Sequence, residues 1–299
     1  MTLFRRSALL FLLAGTVVAG WASPALAHAG GLVATDARSR VVSLSPQVPG
    51  LSVTTIEDGA KLRLVNGTSA PVAVPPGGGP ATPTVIPAGR TSMWPDTRTS
   101  PVGKTVAPGE SQTWSLTLDV AGVPITVTGV LEGHKPPLFA PWWAATLALA
   151  VAVPVLCRRA RRPDLLLAAA ALTAMAASIA HVLGSTMEVA SAPMLGTFVN
   201  AAGINLLAWP LILGGALAAV RGRPAGLLAA CAGAALTAVF VLPDVTSFHR
   251  AVLPFAGPDT LERVLVLLAL SCGAGTAVAG ASVLRTLAAA EPTPTGDPA

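Results

Sequence analysis

At 299 residues, 53% of them hydrophobic and only 11% charged, with no tyrosine at all, the chain is too apolar for an ordinary soluble protein. Its formal charge of +5 does not indicate a nucleic-acid partner. Between His28 and Leu138 acidic and basic residues nearly cancel, and the excess arginine sits at 158–162, 221–223 and 285. That is the distribution of a membrane protein whose basic loops stay inside, not of a basic binding face.

Residues 1–27 read as a secretory signal peptide. Arg5 and Arg6 form its charged start, an apolar core follows, and Ala25-Leu26-Ala27 is a small-residue cleavage site. Cleavage there makes His28 the mature N-terminus.

From about Arg40 to Glu132 the pattern changes to short runs rich in Val, Thr, Ile and Leu, such as VVSLS, LSVTTI, AKLRLV, APVAV, QTWSLTLDV and PITVTGVLE. Turn signals such as EDG, NGTS, PPGGGP and APGES lie between them. The spacing predicts an all-β, sandwich-like domain over residues 28–139. The stretch from Gly77 to Lys104 reads as loop. Asn66-Gly67-Thr68 matches a glycosylation sequon but reads as a tight turn. The carboxylates Asp96, Asp119 and Glu132 are scattered singly and read as solvated. The three cysteines, Cys157, Cys231 and Cys272, all lie beyond this domain, so no disulfide framework holds it.

The next stretch, Pro141 to Pro163, is entered through Trp142 and Trp143 and closed by Arg158, Arg159, Arg161 and Arg162. Paired indoles suit the headgroup boundary, and clustered arginines suit the cytoplasmic side. Four more apolar runs follow, each close to the roughly 20 residues that cross a hydrocarbon core. The predicted spans are about 138–157, 165–184, 197–220, 225–242 and 264–284, with a disordered cytoplasmic tail over 286–299. The fold class is therefore an all-α five-helix transmembrane bundle, residues 140–285, preceded by an extracellular all-β domain. Small residues crowd the spans, which predicts close helix packing. Pro154 and Pro210 predict kinks. No repeat relates the halves of the bundle, which weakens a secondary-transporter reading.

The polar residues of the bundle are sorted by depth. His181, Glu188, Asn200, Asn205, Asp244 and His249 fall in the outer half or outer loops, while the inner half holds little beyond its arginine caps. Ser178, His181 and Ser185 share one helical face. Because unpaired polar groups are costly in a bilayer, His181, Asn200, Asn205, Asp244 and His249 form a candidate intramembrane cluster. The plainer alternative is that they only hydrogen-bond neighbouring helices. Arg250 and Arg263 read as outer charges, offset by Asp244, Asp259 and Glu262 nearby.

All four histidines lie outside or in the outer half, as do Met93, Met187 and Met194. His28 as a mature N-terminus offers an amine and an imidazole, a pair that suits Cu(II), and His134 supplies a second nitrogen. No metal-ligand spacing supports this, so the alternative is a terminal and a linker histidine. Gly67-Thr68-Ser69, Gly109-Glu110-Ser111 and Gly280-Ala281-Ser282 lack the second glycine of a nucleophile elbow, and PPGGGP lacks the rest of a phosphate loop. No enzyme emerges.

Two stretches, VVSLSPQVPGLSVTTIEDGAKLRLVNGTSAPVAV and DVTSFHRAVLPFA with the Gly-rich last span, resemble a group of uncharacterised actinobacterial five-span membrane proteins with an exported β-rich domain. The resemblance implies that architecture and a loose association with copper-handling proteins. Many such proteins carry a Trp-x-Asp-His-Arg-x-His-Trp-like motif. Trp94, Asp96 and Arg98 match it here, but Thr97 and Ser100 occupy the histidine positions and Pro101 the closing tryptophan.

Three readings follow. The first is a non-enzymatic envelope binding or scaffolding module, with the lipid bilayer and an envelope protein as partners. The second is copper handling at the outer face, with His28 as ligand. The third is a small transporter or membrane enzyme centred on His181, Asn205 and Asp244.

Overall fold

The computed structural model describes residues 29–76 and 84–290. The expected signal peptide, His28 and residues 291–299 of the expected tail lie outside the described residues. An N-terminal β-rich domain is followed by a bundle of apolar helices.

The β-domain contains β1 (Ala37–Ser45), β2 (Leu51–Ile56), β3 (Lys61–Asn66), β4 (Val72–Val74), β5 (Thr84–Ile86), β6 (Thr91–Pro95), β7 (Ser111–Val120) and β8 (Val123–Gly133). They form two antiparallel sheets, one ordered β1-β8-β7-β4-β5 and the other β2-β3-β6. Alternation explains why they close on each other. Along β8, Ile125, Val127 and Leu131 point inward, and along β3, Leu62 and Leu64 do the same. These residues share one core with Val53, Val72, Leu116 and Leu118. The β7–β8 hairpin turns through Ala121 and Gly122, both at positive φ, the geometry that two-residue hairpins favour.

One expectation is corrected in this domain, and one residue gains a role. The segment from Gly77 to Lys104, expected as loop, supplies β5 and β6, and β6 carries Trp94. Asn66 is fully buried, and its amide donates to the Ala70, Ile86 and Pro87 carbonyls, pinning β3 to the β5 end.

The helices are α1 (Phe139–Arg159), α2 (Pro163–Glu188), α3 (Met194–Ala202), α4 (Asn205–Val220), α5 (Pro224–Val241) and α6 (Asp259–Ala290). A 3-10 segment, Leu242–Phe248, extends α5. Among the described residues, α1, α2, α5 with its extension and α6 are four helices long and apolar enough to cross a membrane. The expected third span at 197–220 is not one straight helix. It is α3 and α4, bent by 70° at Gly203-Ile204, and counts as a fifth crossing only if the pair is one span. Gly203 has φ 49 and ψ −126, a conformation side chains resist. α6 begins earlier than the expected 264 and runs past 285, through the first residues of the expected tail.

α6 packs against α1, α2 and α5, and is the most buried of the helices. The expected close packing is present. A Cβ on Gly215 would lie 2.4 Å from the Ala230 nitrogen, so α4 and α5 approach at a distance only glycine allows. The arginine clusters lie at the end of the bundle opposite the β-domain, as connectivity requires.

Candidate functional site

At the β-domain end of the bundle, three ionisable side chains from three elements meet in the interior. His181 comes from α2, about 10 Å along the helix from its C-terminal end. Asp244 comes from the 3-10 segment, and Glu262 from the first turn of α6. Their exposures are 3%, 1% and 1%. His181 Nε2 lies 3.2 Å from Asp244 Oδ2, and Nδ1 lies 2.7 Å from Glu262 Oε1 in an ion-pair contact. One imidazole is thus held between two carboxylates, one on each nitrogen.

Each element delivers its residue for a local reason. Ser178, His181 and Ser185 form the buried face of α2 that the sequence spacing indicates. The 3-10 segment starts at Leu242-Pro243, where proline ends the regular helix and turns Asp244 inward. Glu262 is in the first turn of α6, where the helix dipole favours a carboxylate. Arg263, beside it, is 6% exposed and donates to the Ser247 and Arg250 carbonyls, bracing the 3-10 segment from the α6 side.

Other polar atoms gather at this level. Trp209 Nε1 donates to Ser178 Oγ at 3.3 Å. Because α2 and α4 run in opposite directions, Asn205 then stands one turn along, level with His181. Among the described residues, the side-chain polar atoms of Asn205, Ser185, Thr237 and Ser247, and Glu262 Oε2, are buried without a hydrogen-bond partner. Toward the arginine end, by contrast, residues 165–180, 206–220, 225–243 and 264–284 contain no His, Asp, Glu, Lys or Arg.

The expected cluster is therefore half assembled. His181, Asp244 and Asn205 belong to it. Asn200 does not: it is exposed on α3, because the break at Gly203 separates it from α4. Nor does His249, which is exposed and accepts a hydrogen bond at Nε2 from Trp143 Nε1 at 3.1 Å. It also stacks on Phe139 at 5.1 Å. Trp142 and Trp143, expected only as interface anchors, clamp the buried Phe248 at 5.9 and 5.7 Å. Glu262 and Arg263 are corrected most sharply: expected as outer charges, they are buried. Extending the α6 periodicity back from Ala269 and Val266 puts Glu262 on the same inward face, and that signal was available.

The chain before β1 lies across this end of the bundle. Ala29 and Leu32 pack with Val189, and Ala34 packs with Leu253 and Phe255. Thr35 and Val252 exchange two backbone hydrogen bonds, at 3.0 and 2.9 Å. Asp36 accepts from the Arg250 side chain and the Ala251 nitrogen. A second contact forms at the β2–β3 turn. Buried Glu57 accepts from the Ser191 nitrogen at 2.9 Å, and Lys61 bridges Glu57 and Ser191 Oγ. Glu57 and Asp58 there both have positive φ. Burial pushes the Asp58 carboxyl up, against the opposing pull of Arg38.

Of the residues considered as metal ligands, His28 lies outside the described residues. His134 is exposed at the end of β8, its backbone N–H bonded to the Asp36 carbonyl. Among the described residues no group of three or more His, Cys, Asp or Glu is arranged to hold a metal ion. In the buried trio the carboxylates sit on opposite edges of one ring, so their oxygens do not converge. Asp96, expected as solvated, is buried and clasped by Arg98 through Nε and Nη2 at 2.9 and 2.7 Å. Burial raises its carboxyl, but the bonds from Arg98 outweigh this and hold it below the ordinary carboxylate range. Arg98 and Lys104 also line a cavity of about 370 Å³ beside Trp114.

Comparison with known protein families, with curated proteins and with solved structures finds no match to this chain.

Proposed function

We propose that this chain is a multi-pass membrane protein that presents its β-domain outside the cell as a non-enzymatic binding or scaffolding module of the envelope. The bundle anchors and orients that domain in the lipid bilayer. The observation that carries this reading is the double docking: Thr35 and Asp36 on residues 250–252, and Glu57 and Lys61 on Ser191. A domain tethered only for retention needs no such contacts, whereas one that must meet a partner in a fixed orientation does. The buried trio is too enclosed to receive a substrate, which favours a module over an enzyme.

The test has two parts. A cysteine placed at exposed Val123 should react with a membrane-impermeant thiol reagent in intact cells; protection there would reverse the proposed orientation. Photoreactive residues at exposed Val42, Val85 and Val123 should each crosslink one recurrent envelope protein, and D36A/R250A should reduce the yield. Crosslinks scattered among abundant proteins would overturn the scaffold reading.

A small transporter is the second reading, and the trio favours it because ionisable residues inside a membrane mark ion or proton pathways. The arginine-end half argues against conduction, since its apolar helices offer no second relay group.

A further inference from the structure

We propose that His181, Asp244 and Glu262 form a proton-binding site whose single proton keeps the β-domain docked on the bundle. The proposal rests on the reading that the docked form is the working one, and goes beyond it by naming what controls docking.

The argument is one of hydrogen-bond chemistry. A neutral imidazole has one N–H and one lone pair. A carboxylate on each nitrogen is matched only when one additional proton is present, either making the ring an imidazolium or residing on a carboxyl. Among the described residues, the charged groups beside His181 come from two elements. Asp244 comes from the 3-10 segment, and Glu262 and Arg263 come from α6. α1, α3, α4, α5 and the Ala29–Gly31 turn contribute none at this level among the described residues, and Glu188, Asp259, Asp36 and Arg250 lie toward the rim. With the proton present, two carboxylates, one guanidinium and one cationic ring sum to zero. Without it, the interior holds an excess negative charge, and a lone pair faces a carboxylate. An uncompensated charge in such a place destabilises whatever structure encloses it.

What encloses it is the docking segment. Asp244 begins a stretch that continues without a break to Val252 and Phe255. Arg263, next to Glu262, holds the Ser247 and Arg250 carbonyls of that stretch. Asp36 grips Arg250 and the Ala251 nitrogen, and Thr35 pairs with Val252. Asp259 accepts from the Leu253 nitrogen, tying the same stretch to the start of α6. Strain at Asp244 or Glu262 is therefore delivered to the residues that hold the β-domain. Because no ionisable group continues toward the arginine end, the proton exchanges with the β-domain side and is bound there rather than conducted.

The discriminating variant is E262Q. Its amide can donate to Nδ1 of a neutral ring while Nε2–H still faces Asp244, so the cluster is satisfied without the additional proton. D244N achieves the same from the other edge. The experiment is hydrogen exchange on the full chain in lipid nanodiscs, corrected for intrinsic rates, followed at the Thr35 and Val252 amides across roughly pH 5 to 9. Wild-type protection should fall about tenfold or more as pH rises, with a one-proton slope. E262Q, or D244N if E262Q does not fold, should keep its protection throughout. A flat wild-type profile, or the same fall in both variants, would overturn the proposal. If the fall appears but no recurrent envelope partner is crosslinked, the scaffold reading fails and the proton site stands.

Discussion

Glu262 Oε1 stands 2.7 Å from His181 Nδ1, joining the first turn of α6 to the interior of α2, with Asp244 on the ring's other nitrogen. The ring therefore lies between two buried acids. Replacing it with alanine leaves two carboxylates facing each other across a cavity. H181A should lose about 3–5 kcal/mol of stability, the range seen when one member of a buried ionic group is removed. H181A/E262Q should recover part of that loss, because one of the opposed charges is gone. Thermal unfolding in nanodiscs, analysed as a double-mutant cycle, measures the coupling. Simple additivity would mean that the two side chains do not interact.

Much of this arrangement was legible from residues alone, and the rest was hidden for specific reasons. The β-strands announce themselves through alternation such as Ile125, Val127 and Leu131, and the bundle through long apolar runs ended by arginine. His181 and Asp244 stand out because they interrupt apolar sequence. Glu262 does not. It follows Pro258-Asp259 and precedes Arg263, the composition of a solvated helix start, and only the helical spacing back from Val266 and Ala269 marks it as inward-facing. The bend at Gly203 was hidden because 194–220 is apolar on both sides of it, so hydropathy carries no trace of direction. β5 and β6 were hidden because each is short and flanked by proline and glycine, and the cross-strand pairing with β3 and β4 makes them strands.

Phe255 packs on α2 where a side chain is missing. Gly184 accepts a hydrogen bond from the Ala256 nitrogen at 3.0 Å, and a Cβ at Gly184 would lie 1.9 Å from the Phe255 ring. G184A should therefore displace Phe255 and cost about 1–3 kcal/mol, as overpacking usually does. Adding F255L should restore most of it. A G184A protein with unchanged melting temperature would mean that Phe255 moves aside freely.

At the bend between α3 and α4, Gly203 needs φ 49 with ψ −126, and Phe240 lies against the space a side chain would fill. G203A should destabilise by about 1–3 kcal/mol through backbone strain. G196A, in the same apolar run but with open space around it, should be nearly neutral. Equal effects at both positions would show that the break is not locally enforced.

The copper and scaffold readings part at the mature N-terminus. Under the scaffold reading, purified mature protein titrated with micromolar Cu(II) retains none stoichiometrically. One equivalent bound and then lost in H28A would move the assignment to copper handling. His134 is exposed, and no group of three or more described His, Cys, Asp or Glu includes it.

The β-domain should have its own acid limit, set by Asp96. Its carboxyl accepts from the Arg98 backbone nitrogen and from two guanidinium nitrogens, and these bonds hold it below the ordinary value of 3.8 despite burial. A carboxyl lowered on folding contributes stability that is fully present above its unfolded value and is lost as pH falls through its folded one. The stability of the domain should thus not vary with pH near neutrality through Asp96, and should weaken progressively below about pH 4. In D96N the charge-assisted clasp is gone at every pH. That variant should be less stable at neutral pH by about 1–3 kcal/mol, and its acid limb should be shallower than the wild type's. Unfolding of the β-domain, followed by Trp94 and Trp114 fluorescence across the acid range, reports both quantities. Parallel wild-type and D96N acid limbs would show that some other carboxylate sets the limit, and Glu132, held low by its bond from Arg40, would be the next to test.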